Sequence, residues 1–286
     1  MLSRLFRERR RVLTGMLAVA GSLTLATALG YTAPVAAAAA SGPHSVMAPR
    51  TAHAAPQAVI RGRLINHGGP VETAPRVFIV FWDFTSDPVG EQAYMTRFLS
   101  TVGGSSWLRT VNQYGASNNL SFGGTFSDSS AIPASPSDAQ IQAEAQKAAN
   151  HFGAGNSLNV EIVVATPTGH STPGFGTQFC AYHGDVASDP NVTYTNMPYV
   201  TDAGAACGED SVNGGAGTLD GVSIVEGHEL AETLTDPLLN AWFDRSGNEI
   251  GDKCAFVNLS NITTSGGKFA VQPLWSNSAN NCVLAS

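Results

Sequence analysis

The sequence predicts a mixed α/β or α+β domain built around a central, mostly parallel sheet. Two observations carry this. Residues 76–83 (RVFIVFWD) and 158–166 (LNVEIVVAT) are short, continuous apolar runs rich in β-branched residues, the pattern of strands buried on both faces. Between them, residues 135–152 (SPSDAQIQAEAQKAANHF) read as a helix, with Pro136 near the first helical position and Gly153 as its stop. Strands alternating with helices favour a layered α/β arrangement.

Taken in order, residues 1–40 read as an export signal. A basic RLFRERRR precedes an apolar run from Val12 to Leu29 and then small residues. Arg9-Arg10-Arg11-Val12-Leu13 fits a twin-arginine pattern. The run is nearly long enough to act as an uncleaved anchor, but A-x-A sites near Ala38 and at Ala52-His53-Ala54 favour cleavage. Residues 41–60 are Ala, Pro, Ser and Gly, the composition of a disordered linker or short pro-segment. Residues 61–286 are long enough for one domain with a substantial core.

Within that domain, residues 90–102 place Ala93, Tyr94, Phe98, Leu99 and Val102 at helical spacing. Residues 106–114 form a second short helix with Trp107, Leu108 and Val111 inward, and residues 119–126 a strand. Residues 167–218 are long, Gly-rich and irregular, which predicts a functional loop, with an edge strand at 193–201 (TYTNMPYVT). A helix follows from Asp220, an N-cap residue type, to a stop at Asp236-Pro237.

Charge and cysteine usage narrow the function classes. Residues 1–40 hold five Arg and one Glu, so the remaining chain has ten basic and 21 acidic residues, a net charge near −11. This argues against nucleic acid and anionic membrane partners and suits an extracellular protein that binds divalent cations; nothing in the sequence suggests an obligate partner, so a monomer is expected. Four cysteines behind an export signal predict two disulfides. Proximity pairs Cys180 with Cys207 and Cys254 with Cys282, with two other connectivities open. No C-x-x-C spacing suggests a Cys-ligated zinc.

The chemistry concentrates in residues 220–254. His228-Glu229-Leu230-Ala231-Glu232 places His228 and Glu232 one turn apart on a shared helix face, with Glu229 on the neighbouring row. It is an H-E-x-x-H zinc helix with the second His replaced by Glu. Zinc accepts carboxylate oxygen as well as imidazole nitrogen. The competing reading is a solvated acidic face. Yet eight carboxylates stand here (Asp220, Glu226, Glu229, Glu232, Asp236, Asp244, Glu249 and Asp252) with Arg245 the one basic residue before Asp252. Carboxylates crowded without cationic partners repel unless a cation is shared. His183 (CAYHGD) is a structural hydrogen-bonding residue or a further ligand. The run Gly169-His170-Ser171-Thr172-Pro173 lacks the last Gly of a serine-hydrolase elbow.

The run GHELAETLTDPLLNAWFD, continued by GNEIGDKC, resembles a family of secreted bacterial proteins classed as zincin-type metallopeptidases. Upstream, HGGPV at 67–71, VFIVFW at 77–82, WLRTVNQY at 107–114 and FCAYHG at 179–184 are similar to plant phosphate-induced, EXORDIUM-like extracellular proteins. Together these stretches span residues 65–286. The resemblance implies a single zincin-like domain and peptide substrates bound along an edge strand. It favours Asp252, within GDKC, as third ligand, with Asp236, Glu249 and His183 as alternatives. The expected function is a zinc endopeptidase in which Glu229 takes a proton from the attacking water and passes it to the leaving amine. A carboxylate-rich site also predicts a raised pH optimum. The alternatives are an extracellular Ca²⁺-binding module, or a wall- or matrix-associated protein without activity.

Overall fold

The computed structural model describes residues 45–50, 58–155 and 157–285. The export-signal reading of residues 1–40 lies outside the described residues. The strands are β1 (Ser45–Met47), β2 (Ile65–Asn66), β3 (Arg76–Trp82), β4 (Ser121–Asp128), β5 (Val160–Ala165), β6 (Ala181–Val186) and β7 (Asp189–Met197). They continue as β8 (Trp242–Phe243), β9 (Ser260–Thr264), β10 (Gly267–Val271), β11 (Leu274–Ser276) and β12 (Asn281–Val283). The α-helices are α1 (Glu91–Leu99), α2 (Asp138–Phe152) and α3 (Asp220–Thr235).

A six-stranded sheet in the order β1-β6-β7-β5-β3-β4 divides the core. The β7-β5-β3-β4 neighbours are parallel, while β6 and β1 add antiparallel to the side of β7. Alternation sorts the apolar strand residues. Phe78, Val80, Trp82, Ile162 and Val164 face α2, where Ile141, Ala145, Ala148 and Ala149 complete one core. Val77, Ile79, Phe81, Val163 and Ala165 face the other way, toward α1 and α3. Continuous apolar runs were needed because helices cover both faces.

Every residue of α3 is buried. It is packed against β6 and β7, α1, the 3-10 turn Leu108–Tyr114 and β10. Gly227 permits this closeness, because a Cβ there would stand 3.1 Å from the Trp107 ring. Trp107 is itself anchored by its indole N–H to the Gln272 carbonyl at 2.8 Å.

The predicted strands at 76–83, 119–126 and 158–166 and the helices at 90–102 and 135–152 are all present, each displaced by a few residues at its ends. Several local expectations are corrected. Pro136 lies before the helix, and Ser137 is the N-cap, its N–H donating to Gln140 Oε1 at 2.9 Å. The short helix expected at 106–114 is present as the 3-10 helix Leu108–Tyr114, with Leu108 and Val111 buried. The stretch 167–218 is no continuous loop, since it contains β6 and β7. β7 is interior and ends at Met197, so the edge-strand reading of 193–201 fails. The edge belongs to β1, from the segment read as a linker. Ser45–Met47 pairs with β6 and Met47 is fully buried, because an apolar side chain and three free backbone positions complete the exposed β6 edge. Asp220 opens α3 as its first residue, one place inside its expected cap.

Both disulfides join the nearest partners, Cys180–Cys207 and Cys254–Cys282, with Cα atoms 5.5 and 5.8 Å apart. Among the described residues no helix is long and apolar enough to cross a membrane.

Candidate metal centre

The face of the sheet beneath the C-terminal half of α3 is polar where an ordinary helix contact would be apolar. Glu161 shares the parity of Val163 and Ala165, and His183 that of Ala181. Thr195 donates its hydroxyl to Glu161 Oε1 at 2.8 Å. His183, Thr195 and Val163 are consecutive register partners across β6, β7 and β5. Above this layer α3 carries Glu226, His228, Glu229 and Glu232, all fully buried.

Two loops close the cluster. Asp236 ends α3, and its Oδ1 accepts the N–H groups of Asn240 and Ala241, both at 2.6 Å, which turns the chain back. Asp244 then organises the 244–254 segment. It accepts the N–H of Ser246 at 2.8 Å and of Asn248 at 3.1 Å, and it takes the buried Lys253 ammonium at 2.8 Å. Lys253 also lies 4.6 Å above the Trp275 ring, so this cation is engaged away from the histidines. The segment returns Glu249 and Asp252 to α3. Glu232 Oε1 fixes it by accepting the N–H of Gly251 at 3.2 Å and of Asp252 at 2.9 Å.

His228 Nε2 lies 3.1 Å from Glu232 Oε1 and 3.6 Å from Asp252 Oδ1. Despite the short distance, Nε2 makes no hydrogen bond. The opposite ring nitrogen, Nδ1, is held at 3.4 Å by Gln272 Oε1, while Gln272 Nε2 donates to the Gly251 carbonyl at 2.8 Å. Such support behind an imidazole is typical of metal ligands. His183 Nε2 lies 3.3 Å from Glu249 Oε2 and 3.5 Å from Glu232 Oε2. Both oxygens of Glu229, one oxygen of Glu249 and Glu232 Oε2 are buried without hydrogen-bond partners. Gly251 leaves room in the middle, because a Cβ there would stand 2.8 Å from the His228 ring and 2.9 Å from Glu232 Oε1.

The electrostatics show a shortage of positive charge. Burial opposes a charged His228, yet Glu232, Glu229 and Asp252 outweigh it and raise the pKa to about 10. His183 is driven up in the same way by Glu249 and Glu232 against burial. Burial, then repulsion from Glu232, raises Glu249 to about 8 and Asp252 to about 7. Burial raises Glu229 to about 8, with Glu232 adding and His228 subtracting. Glu232 alone moves down, because the two imidazoles overcome its burial. Protons here do the work that a divalent ion could do.

The structure therefore brings together His228, Glu229, Glu232 and Asp252, the residues expected from sequence, and adds His183 and Glu249 from the alternatives. Two trios, His228 with Glu229 and Glu232, and His183 with Glu232 and Glu249, have donor atoms close enough to hold an ion. Asp236 commits one oxygen to its turn and leaves Oδ2 buried and unpartnered. Sequence reading missed Gln272 and Gly251. A lone amide in the apolar FAVQPLW run was the available signal for Gln272. It also missed Glu72 and Glu161, which with Glu226, one of the eight carboxylates counted above, extend the buried acidic layer; burial raises the pKa values of all three.

His67 stacks on Phe243 at 3.7 Å and His151 on Phe126 at 4.0 Å, both as packing residues. His170 contacts the Pro133 carbonyl through Nδ1 at 2.9 Å. Solvent reaches the cluster beside Asp252, whose side chain is 20% exposed. An open depression of about 330 Å³ lies at the N-terminal end of α3, lined by Tyr94, Asn213, Leu219, Asp220 and Lys268, and includes none of the cluster.

Comparison with known proteins finds no matching family model, no similar curated protein and no similar solved structure.

Proposed function

We propose that this chain is a secreted metal-dependent peptidase that cleaves peptide or protein substrates with zinc. The observation that carries the reading is the His228–Glu232 pair, 3.1 Å apart and buried, with His228 Nε2 making no hydrogen bond. Two donor atoms that approach without bonding to each other suit a common third partner. Asp252 at 3.6 Å supplies a third donor from the 244–254 segment. Imidazole nitrogen in the set favours zinc over calcium, which prefers oxygen alone.

A zinc ion held by His228, Glu232 and Asp252 would polarise a scissile carbonyl and acidify water. Glu229 is the general base. Its carboxylate is next to His228 on α3 and has no other hydrogen-bond partner. It accepts the proton of the attacking water and returns it to the leaving amine. Gln272 keeps the His228 proton on Nδ1, so that Nε2 stays free as a ligand.

The test pairs metal analysis with cleavage of a peptide library by wild type and Glu229→Gln. Equal zinc content with cleavage lowered ~10²–10⁴-fold in the variant is expected. A zinc-loaded wild type that cuts nothing in the library would refute the peptidase reading. The near-complete burial of the cluster favours one competing reading, an ion that only stabilises an extracellular binding or matrix protein. In that case Glu229→Gln keeps its metal and changes no reaction.

A further inference from the structure

We propose that the cluster is a dinuclear centre in which the Glu232 carboxylate bridges two divalent ions, one held with His228 and Asp252, the other with His183 and Glu249. This rests on the metal-centre reading above and extends it by one ion.

The two oxygens of Glu232 serve different histidines. Oε1 faces His228 Nε2 at 3.1 Å, and Oε2 faces His183 Nε2 at 3.5 Å. Each histidine has a second carboxylate at matching range, Asp252 at 3.6 Å from His228 and Glu249 at 3.3 Å from His183. Donor atoms about 2.1 Å from a tetrahedral ion stand about 3.4 Å from one another. The four histidine–carboxylate approaches fit that spacing, and the donors of His183, Glu232 and Glu249 also lie close enough to one another to hold an ion. A carboxylate spanning two ions about 3.5–4 Å apart is the usual arrangement of paired metals in hydrolases.

Unpartnered atoms are found on both sides. Glu229 and His228 Nε2 mark the first set, while Glu232 Oε2 and Glu249 Oε1 mark the second, all buried. Formal charge points the same way. With neutral imidazoles, ionised carboxylates of Glu229, Glu232, Glu249 and Asp252 would balance two divalent ions, the second taking the place of protons that the metal-free cluster holds. Lys253 cannot supply that positive charge, being bound to Asp244. The two ions would share a substrate, one binding the carbonyl and the other the nucleophile's side.

The experiment is metal counting on the purified chain, stripped with chelator, reloaded with zinc and freed of excess by gel filtration. Wild type should retain two zinc per chain, and His183→Ala and Glu249→Gln one each. Cobalt-loaded wild type, which requires no variant to fold, should show magnetic coupling between its ions. One zinc in wild type, unchanged by His183→Ala, would overturn the dinuclear proposal and leave the peptidase reading standing. Two zinc in both would place the second ion elsewhere and overturn it also. No retained metal in any sample would remove both readings together.

Discussion

His228 and Glu232 stand one turn apart on α3 with Nε2 and Oε1 at 3.1 Å, a buried pair held by charge and not aligned as a regular hydrogen bond. Glu232 Oε1 instead accepts two backbone N–H groups, from Gly251 and Asp252. One helical side chain thus sets the position of the loop that completes the site. Glu232→Ala removes that anchor and the carboxylate that both buried imidazoles share. It should destabilise the metal-free protein by about 3–5 kcal/mol. Urea unfolding of the chelated protein measures this, and an unchanged midpoint would count against the anchor.

The same cluster sets the pH dependence of stability. Glu229 and Glu249 have folded pKa values near 8 and Asp252 near 7, chiefly through burial, while carboxylates hold His228 near 10 against its burial. All four lie above the values of an unfolded chain. The folded state therefore holds protons that the unfolded state has released, and stability falls as pH rises from about 4.5 to 10. Glu232 has the opposite sign, but its effect is confined below its unfolded pKa. Thermal melts of chelated protein should show a lower Tm near pH 8.5 than near pH 5.5. On the proposed metal reading zinc would replace those protons, so its stabilisation should grow over the same interval. A flat profile without metal would mean that these groups are solvated.

Gln272 touches no expected ligand atom directly, yet it orients His228 through Nδ1 and holds the Gly251 carbonyl. Gln272→Leu keeps the volume and removes both bonds. Zinc affinity, measured by competition with a chromophoric chelator, should fall about 10–100-fold. An affinity equal to wild type would show that the ring is positioned by packing alone.

The Cys254–Cys282 bridge lies two residues from Asp252. Replacing both cysteines with Ser should cost about 3.6 kcal/mol by the loop-entropy relation for a separation of 28 residues. It should also weaken zinc binding, because the Asp252 segment loses its tether. Denaturation and chelator competition on one double variant separate the two effects. Lower stability with unchanged zinc affinity would confine the bridge to a general role.

Much of the architecture was legible because it obeys one-dimensional rules. β3 and β5 are continuous apolar runs, and α2 has its Ser137 cap, its buried Ile141 and Ala145 face and its Gly153 stop. β6 was hidden, and β7 was read only over its second half, for a physical reason. AYHGDV and DPNVTYTNM carry Gly, Pro, His and Thr, because one of their faces meets the polar layer around α3 and not an apolar core. The polar layer erased the strand signal. β1 was hidden in a different way, since three residues in an Ala- and Pro-rich stretch carry no period and take their conformation from the β6 edge. His228, Glu229 and Glu232 were readable from helical spacing. Glu249 and His183 were ambiguous because only the fold decides which distant side chains share a space.

Gly251 has a consequence for how such chains are compared. Its hydrogen is the only side chain that fits between the His228 ring and Glu232 Oε1. A single-nucleotide change to Ala, Ser or Val would preserve every metal-binding residue and still fill the space they share. An inventory of ligands would score that descendant as intact. The glycine, which has no side-chain donor to offer an ion, is therefore the more telling position to inspect when asking whether a related gene has kept or lost this arrangement.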